Sequence, residues 1–346
     1  MKRSYKRILC ISALAFLLGC VLVMSAFLMI GFNFLRLDSR NMVKTEQVIE
    51  GEFSDIEISN LQQNLRVVAS PDGVCRISYY GNERLSVATM IEDGVLRIVM
   101  QDMRDWQDYI NIVSASDETA VLYLPAGNYG TLRVKAGASM DLVLEREICL
   151  ARLEAQISSG NIDSLAQITN GVDIKGSSGS LHLENISGGN VTIEDSSGDV
   201  VLKHCRAAQT TLTLFSGSIE LVDVGGEILA TTSSGDIVIE DAALATLTLK
   251  TSSGDVELKR TVVQTELRIE TSTGDIKMER SDAAHMILVT GTGDVELELL
   301  RGKGYYVKTG TGSVSHPEHD TNGGLCNVTT STGDVMITVV DPIATQ

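Results

Sequence analysis

Six aspartates in this 346-residue sequence follow a glycine in one recurring local setting: Asp199, Asp236, Asp255, Asp275, Asp294 and Asp334. The clearest copies read TTSSGDIVIE, TSSGDVELK and TSTGDIKME. If such copies stack, Asp236, Asp255, Asp275 and Asp294 lie about 5 Å apart on successive layers, where like charges repel and bound Ca²⁺ would relieve the repulsion. Other copies carry Asn161, Ser180, Ser218 and Ser313 at the same place, so the setting does not demand charge. The alternative reading is a solvated turn, and the Gly-rich nonapeptide of Ca²⁺-binding β-rolls is missing.

Other candidate chemistry is thinner. His316 and His319, in HPEH, invite a metal, but the proline between them breaks helical ligand spacing and no distant third ligand is evident, leaving an exposed loop. Cys10 and Cys20 fall in an apolar run, Cys326 occupies an inward position, and Cys75, Cys149 and Cys205 form no CxxC pair, so buried thiols are expected. Trp106 reads as a core anchor rather than a sugar platform. Lys259, Arg260, Lys277 and Arg280 read as solvated charges paired with neighbouring acids.

The elements that position the aspartates follow from the glycines. Gly160, Gly179, Gly198, Gly217, Gly235, Gly254, Gly274, Gly293, Gly312 and Gly333 recur at intervals of 18 to 21 residues, a solenoid period. Apolar residues stand seven and five before the glycine (Leu247 and Leu249, Leu267 and Ile269) and two and four after it (Val256 and Leu258, Ile276 and Met278). Both sets alternate with period two, as in half-buried strands. Their opposite parity about the glycine keeps both apolar faces inward only if the chain turns sharply there, which favours a residue that accepts positive φ. The resulting fold is all-β: a right-handed single-stranded parallel β-helix of about ten 19-residue coils, each with one tight and one looser corner, preceded by one transmembrane helix. Ten coils at about 4.8 Å make a rod on the order of 45 to 50 Å long.

Composition bounds the partners. The chain carries 28 basic and 45 acidic residues, for a net charge of −17. Beyond the basic leader of Lys2, Arg3, Lys6 and Arg7 the balance is −21, which excludes nucleic acid and anionic lipid as natural partners of the rod and favours cations. Ile8 to Leu35 is uncharged over 28 positions, long enough to span a bilayer. The positive-inside rule places the N-terminus in the cytoplasm and the remainder outside. A lipoprotein box, LLGC at Cys20, is the weaker reading because the sequence stays apolar after it. A cleaved signal is weaker still, since the run exceeds a signal core. The organisation expected is a cytoplasmic segment 1–7, a membrane helix 8–35, a spacer 36–47, a β-rich capping segment 48–130 and solenoid repeats 131–340.

The membrane leader, the opening segment FSDIEISNLQQNLRVVAS and the many SSGDI or STGDV copies resemble the bacterial putative-adhesin family of unknown function, also called the toastrack domain. That resemblance covers roughly residues 45 to 340. It implies a β-helix displayed outside the cell, often linked to envelope-stress signalling, and offers no catalytic residues or cofactor to carry over. The function expected is a non-enzymatic scaffold or adhesin-like module for a cell-wall or surface ligand, or a membrane signalling protein. The alternative is a polysaccharide-active β-helix enzyme using Ca²⁺, but corner intervals of 18 to 21 residues leave no room for groove-building loops.

Overall fold

The computed structural model describes residues 12, 16–25, 42–104 and 118–340; Cys10, Trp106, Pro342 and the first half of the 36–47 spacer lie outside the described residues. Residues 16–25 are helical, with Phe16, Leu17, Val21 and Leu22 among the exposed apolar side chains. No helix among the described residues is long and apolar enough to cross a membrane. From Val43 onward the described chain is strand after strand in one continuous sheet wound as a β-solenoid, with one 3-10 turn at Thr321–Gly323.

One coil shows why the sequence winds this way. Leu247 and Leu249 before Gly254, and Val256 and Leu258 after it, are fully buried. Each pairs in parallel with its equivalent one coil on, Leu247 with Leu267 and Val256 with Ile276. Burying such a side chain contributes about 1.5–3 kcal/mol, an upper bound for a chain already partly collapsed when unfolded. Gly254 turns at φ 154°, and a Cβ there would overlap the carbonyl of Gly235 in the preceding coil. The ten corner glycines all lie between φ 127° and 154°. The N–H groups of nine of them, all but Gly312, carry the ladder through the bend, as where Gly254 donates to the Thr273 carbonyl at 3.1 Å.

The second corner is sharper than expected. Asn185, His204, Asp223, Asp241, Arg260 and Arg280 each stand six residues after a corner glycine, with φ between 48° and 62°. After this left-handed residue comes a short third side, such as Val262–Val263 on Ala243–Leu244, and a register shift precedes the next long strand. Each coil therefore has three sides rather than two. Leu244 and Val263 turn inward from the third.

At both ends the coils stack out of sequence order. Strand Asp55–Ser59 lies parallel between Val95–Asp102 and Asn128–Ser139. Asn64–Ala69 likewise lies between Thr119–Leu124 and Leu142–Leu144. The segment expected only to cap the rod thus supplies two of its coils. Antiparallel strands cover the outer one: Leu85–Glu92 on Val95–Asp102, and Arg76–Gly81 on Thr119–Leu124, with Val43–Val48 beyond.

The far end repeats the device. Leu325–Thr332 is inserted between Ile276–Thr292 and Gly304–Thr311, and Val335–Val339 between Val295–Leu299 and Val314–Ser315. The last coil in sequence is therefore next to last in space. A buried charge cluster holds the crossing. Lys303, with no exposed surface, places Nζ 2.6 Å from Asp282 Oδ1 and donates to the Gly323 carbonyl at 2.7 Å. Arg301 Nε donates to Asp282 Oδ2 at 2.8 Å. Asp282 belongs to the coil before the gap, Lys303 to the departing chain and Gly323 to the returning one. Charges this deeply buried persist only when paired and hydrogen-bonded, so these contacts fix the crossing in one arrangement.

The glycine constraint is testable by substitution. Gly254→Ala is expected to lower unfolding free energy by about 2 kcal/mol or more in a denaturant titration. Gly127→Ala, where a Cβ meets nothing within 4 Å, is expected to be close to neutral.

Candidate functional site

The aspartates that opened the sequence reading come together on one edge of the rod. Each carboxylate accepts a hydrogen bond from the backbone N–H of the equivalent residue in the next coil. Asp236 Oδ1 accepts from Asp255 N–H at 2.8 Å, Asp255 from Asp275 at 2.7 Å, and Asp275 from Asp294 at 2.7 Å. Asp294 then accepts from Asp334 at 2.7 Å, because the intercalated coil sits beside it. The row expected to hold four consecutive aspartates holds five. It closes at Ser313, whose N–H and hydroxyl both donate to Asp334 and hold that carboxyl below the usual range.

Asparagine does the same work elsewhere. Asn64 Oδ1 accepts from Asp141 N–H at 2.9 Å and Asn161 Oδ1 from Ser180 N–H at 2.9 Å. What Asp and Asn share here is a side-chain oxygen two bonds from Cβ, so the bond does not depend on charge, and Ser180 and Ser218 show that the corner also forms with a shorter side chain. No group of three His, Cys, Asp or Glu among the described residues is placed to hold a metal ion.

A second row runs inside the same corner. Thr232, Thr251, Thr271, Thr290 and Thr330, each three residues before a corner glycine, are buried. Their hydroxyls donate to the glycine carbonyl of the preceding coil in space, as in Thr290 to Gly274 at 2.9 Å and Thr330 to Gly293 at 3.2 Å. Asp195 occupies this inward position in an earlier coil. Burial raises its carboxyl pKa, against the opposing N–H bonds from Ser197, at 3.0 Å, and Ser196.

The remaining candidates resolve into structural roles. Lys259 pairs with Glu257 and Glu240 at 2.9 and 3.1 Å, Arg260 with Asp241 at 2.6 Å, and Lys277 with Glu257 at 3.8 Å. Cys75, Cys205 and Cys326 are buried free thiols, pushed by burial to about 11, 11 and 12; Cys149 is half-buried and also unpaired with another cysteine. His316 and His319 stand on an exposed loop, as expected, but the loop is tied to the body of the rod. Their rings lie 5.2 and 5.9 Å from the ring of Tyr305, and Tyr305 N–H donates to His319 Nδ1 at 3.0 Å. HPEH is thus part of the return crossing over the end of the rod.

That end leaves one edge of the sheet open. Among the described residues, Gly304–Thr311 pairs only with Leu325–Thr332, so its other edge has no strand. Tyr306 is 69% exposed and Val314 42% exposed there. The opposite end has its outermost coil covered on both sides.

Committed corner side chains, three-sided coils and one open end define a β-solenoid rod. The chain belongs to the Toastrack DUF4097 family, whose model matches residues 53–262 and 226–345. Among solved structures it is similar to a putative adhesin from Bacteroides fragilis NCTC 9343, at 12% identity over 87% of this chain and 99% of that one, with a TM-score of 0.33. It is also similar to a putative cell adhesion protein from Clostridium sporogenes ATCC 15579, at 9% identity over 86% of this chain and 100% of that one, TM-score 0.23. A putative lipid binding protein from Parabacteroides distasonis ATCC 8503 matches at 11% identity over 86% and 98%, TM-score 0.26. No curated protein matches the chain.

Two substitutions test these roles. Asp255→Ala should cost about 1–2 kcal/mol by orphaning the Asp275 N–H, whereas Asp255→Asn should hold wild-type stability in thermal melts. Asp195→Asn should stabilise the protein at pH 7. A raised folded pKa means stability is lost as pH climbs from the ordinary 3.8 through the folded value, so the gain should vanish below pH 3.8, where the carboxyl is neutral in both states.

Proposed function

We infer that this chain is a non-enzymatic binding or scaffold module, held by a single N-terminal membrane pass and projecting its rod outside the cytoplasm. The carrying observation is the commitment of the corner carboxylates: Asp236, Asp255, Asp275 and Asp294 each bond the backbone of the next coil. Residues that would otherwise be read as a repeated chemical site are parts of the stack. The uncharged stretch Ile8–Leu35 behind four basic residues supports the anchor and its orientation.

The ligand class is a cell-wall or surface component, or a membrane signalling protein in an envelope-stress complex. Binding to purified wall fractions, run beside a pull-down of neighbouring membrane proteins from intact cells, separates the two. Retention by neither contradicts the binding reading.

A Ca²⁺-dependent, polysaccharide-active enzyme is the second reading, favoured by the five consecutive aspartates. It predicts a higher melting temperature in Ca²⁺ than in chelator, and glycan cleavage that Asp255→Ala with Asp275→Ala abolishes. The module reading predicts identical melting and no turnover on a broad panel of acidic glycans.

A further inference from the structure

We propose that the open edge of Gly304–Thr311 is a strand-addition site for an extended acidic segment of a partner protein, taken in parallel as one more coil. This rests on the binding-module reading and names its partner surface.

The backbone defines the window. Gly304 N–H donates inward to the Gly324 carbonyl at 2.9 Å, and Tyr305 N–H outward to His319 Nδ1 at 3.0 Å. Because alternate residues of a strand bond to opposite neighbours, the N–H groups of Val307 and Thr309 face outward, where no strand lies. Edge backbone of this kind pairs readily with an added strand.

Charge selects the occupant. From Leu299 to Pro317 the sequence contains no acidic residue, in a chain whose net charge is −17; Arg301 and the buried Lys303 are committed to Asp282, which leaves Lys308 as the exposed cation of this edge. Elsewhere on the rod, a lysine on one coil pairs with a glutamate at the same register on the next: Lys175 with Glu194 at 3.2 Å and Lys250 with Glu270 at 3.1 Å. Lys308 is in register with Thr329 on its inner side and has no ion-pair partner among the described residues. Its glutamate position falls on the guest strand. A second copy adding its own Gly304–Thr311 edge would instead bring Lys308 toward its counterpart, so tip-to-tip self-association is disfavoured.

The coil rules fix the rest of the guest sequence. Half-buried Val307 presents an inward position that an apolar residue would cover, whereas Tyr305 is already buried beside His316 and His319. The next threonine would donate to the Gly312 carbonyl, as Thr309 donates to that of Gly333 at 3.1 Å. The pattern required is apolar, acidic, Thr, then Gly three residues later.

The chain's own segment Glu266–Lys277, ELRIETSTGDIK, has this pattern and serves as a probe. With Gly274 of the peptide over Gly312, Glu270 falls over Lys308. A fluorescent peptide of this sequence should bind the full-length chain in neutral detergent saturably. Lys308→Glu in the protein should weaken binding about tenfold, and Glu270→Lys in the peptide should restore it to that variant. No saturable binding, affinity indifferent to Lys308→Glu, or failure of the charge swap to rescue would each overturn the proposal, the first meaning that Lys308 merely blocks the edge. Concentration-dependent dimers that exclude the peptide would also overturn it, in favour of a second copy. A wall or membrane partner that binds Lys308→Glu as tightly as wild type leaves the module reading standing and removes the tip site.

Discussion

Successive corner glycines approach too closely for either to carry a Cβ, and the fold depends on it. At Gly254 the chain adopts a φ that side-chain-bearing residues rarely adopt and leaves no room for a Cβ beside the Gly235 carbonyl. That contact brings the coils together at the corner tightly enough for two further rows to form. Outside it, Asp and Asn oxygens reach the N–H of the next coil; inside it, threonine hydroxyls reach the glycine carbonyl of the preceding one. Buried polar groups are tolerable only when bonded, and here the threonines satisfy carbonyls that the bend turns away from the regular ladder.

This arrangement reassigns the chemistry of the repeat. A column of carboxylates on one edge looks like a ligand site, yet its geometry is that of a side-chain ladder for backbone donors. Like-charge proximity along the row is offset at each step by a hydrogen bond to an ionised acceptor, which is stronger than a neutral one. Recognition is then better sought where the ladder stops. At one end, antiparallel strands close the stack; at the other, the last coil in sequence tucks inward and leaves its predecessor at the rim.

Much of this was legible in the residues. The glycine period and the parity switch located both long sides, and the inward residues around Gly254 and Gly274 are the core residues of the structure. The third side was less visible because its corner uses several residue types; the usable signal was a polar, non-β-branched residue six after the glycine, from Asn185 to Arg280. Stacking order was hidden for a deeper reason. Coils that obey one pattern are interchangeable as neighbours, so nothing in the copies around Gly312 and Gly333 says which lies beside Gly293. Only the 21-residue interval containing HPEH, and the uncommon Lys303 between two glycines, marked the crossing.

The order of the last two coils makes the fifth aspartate rung and exposes the rim. Residue-resolved amide hydrogen exchange reads it directly. With the coils in this order, exchange should be slow along the intercalated strand, at Val328 and Thr330, and fast at Val307 and Thr309, with the inward-bonded amides of Tyr306 and Lys308 protected between them. Strong protection at Val307 and Thr309 together with rapid exchange through Leu325–Thr332 would contradict it.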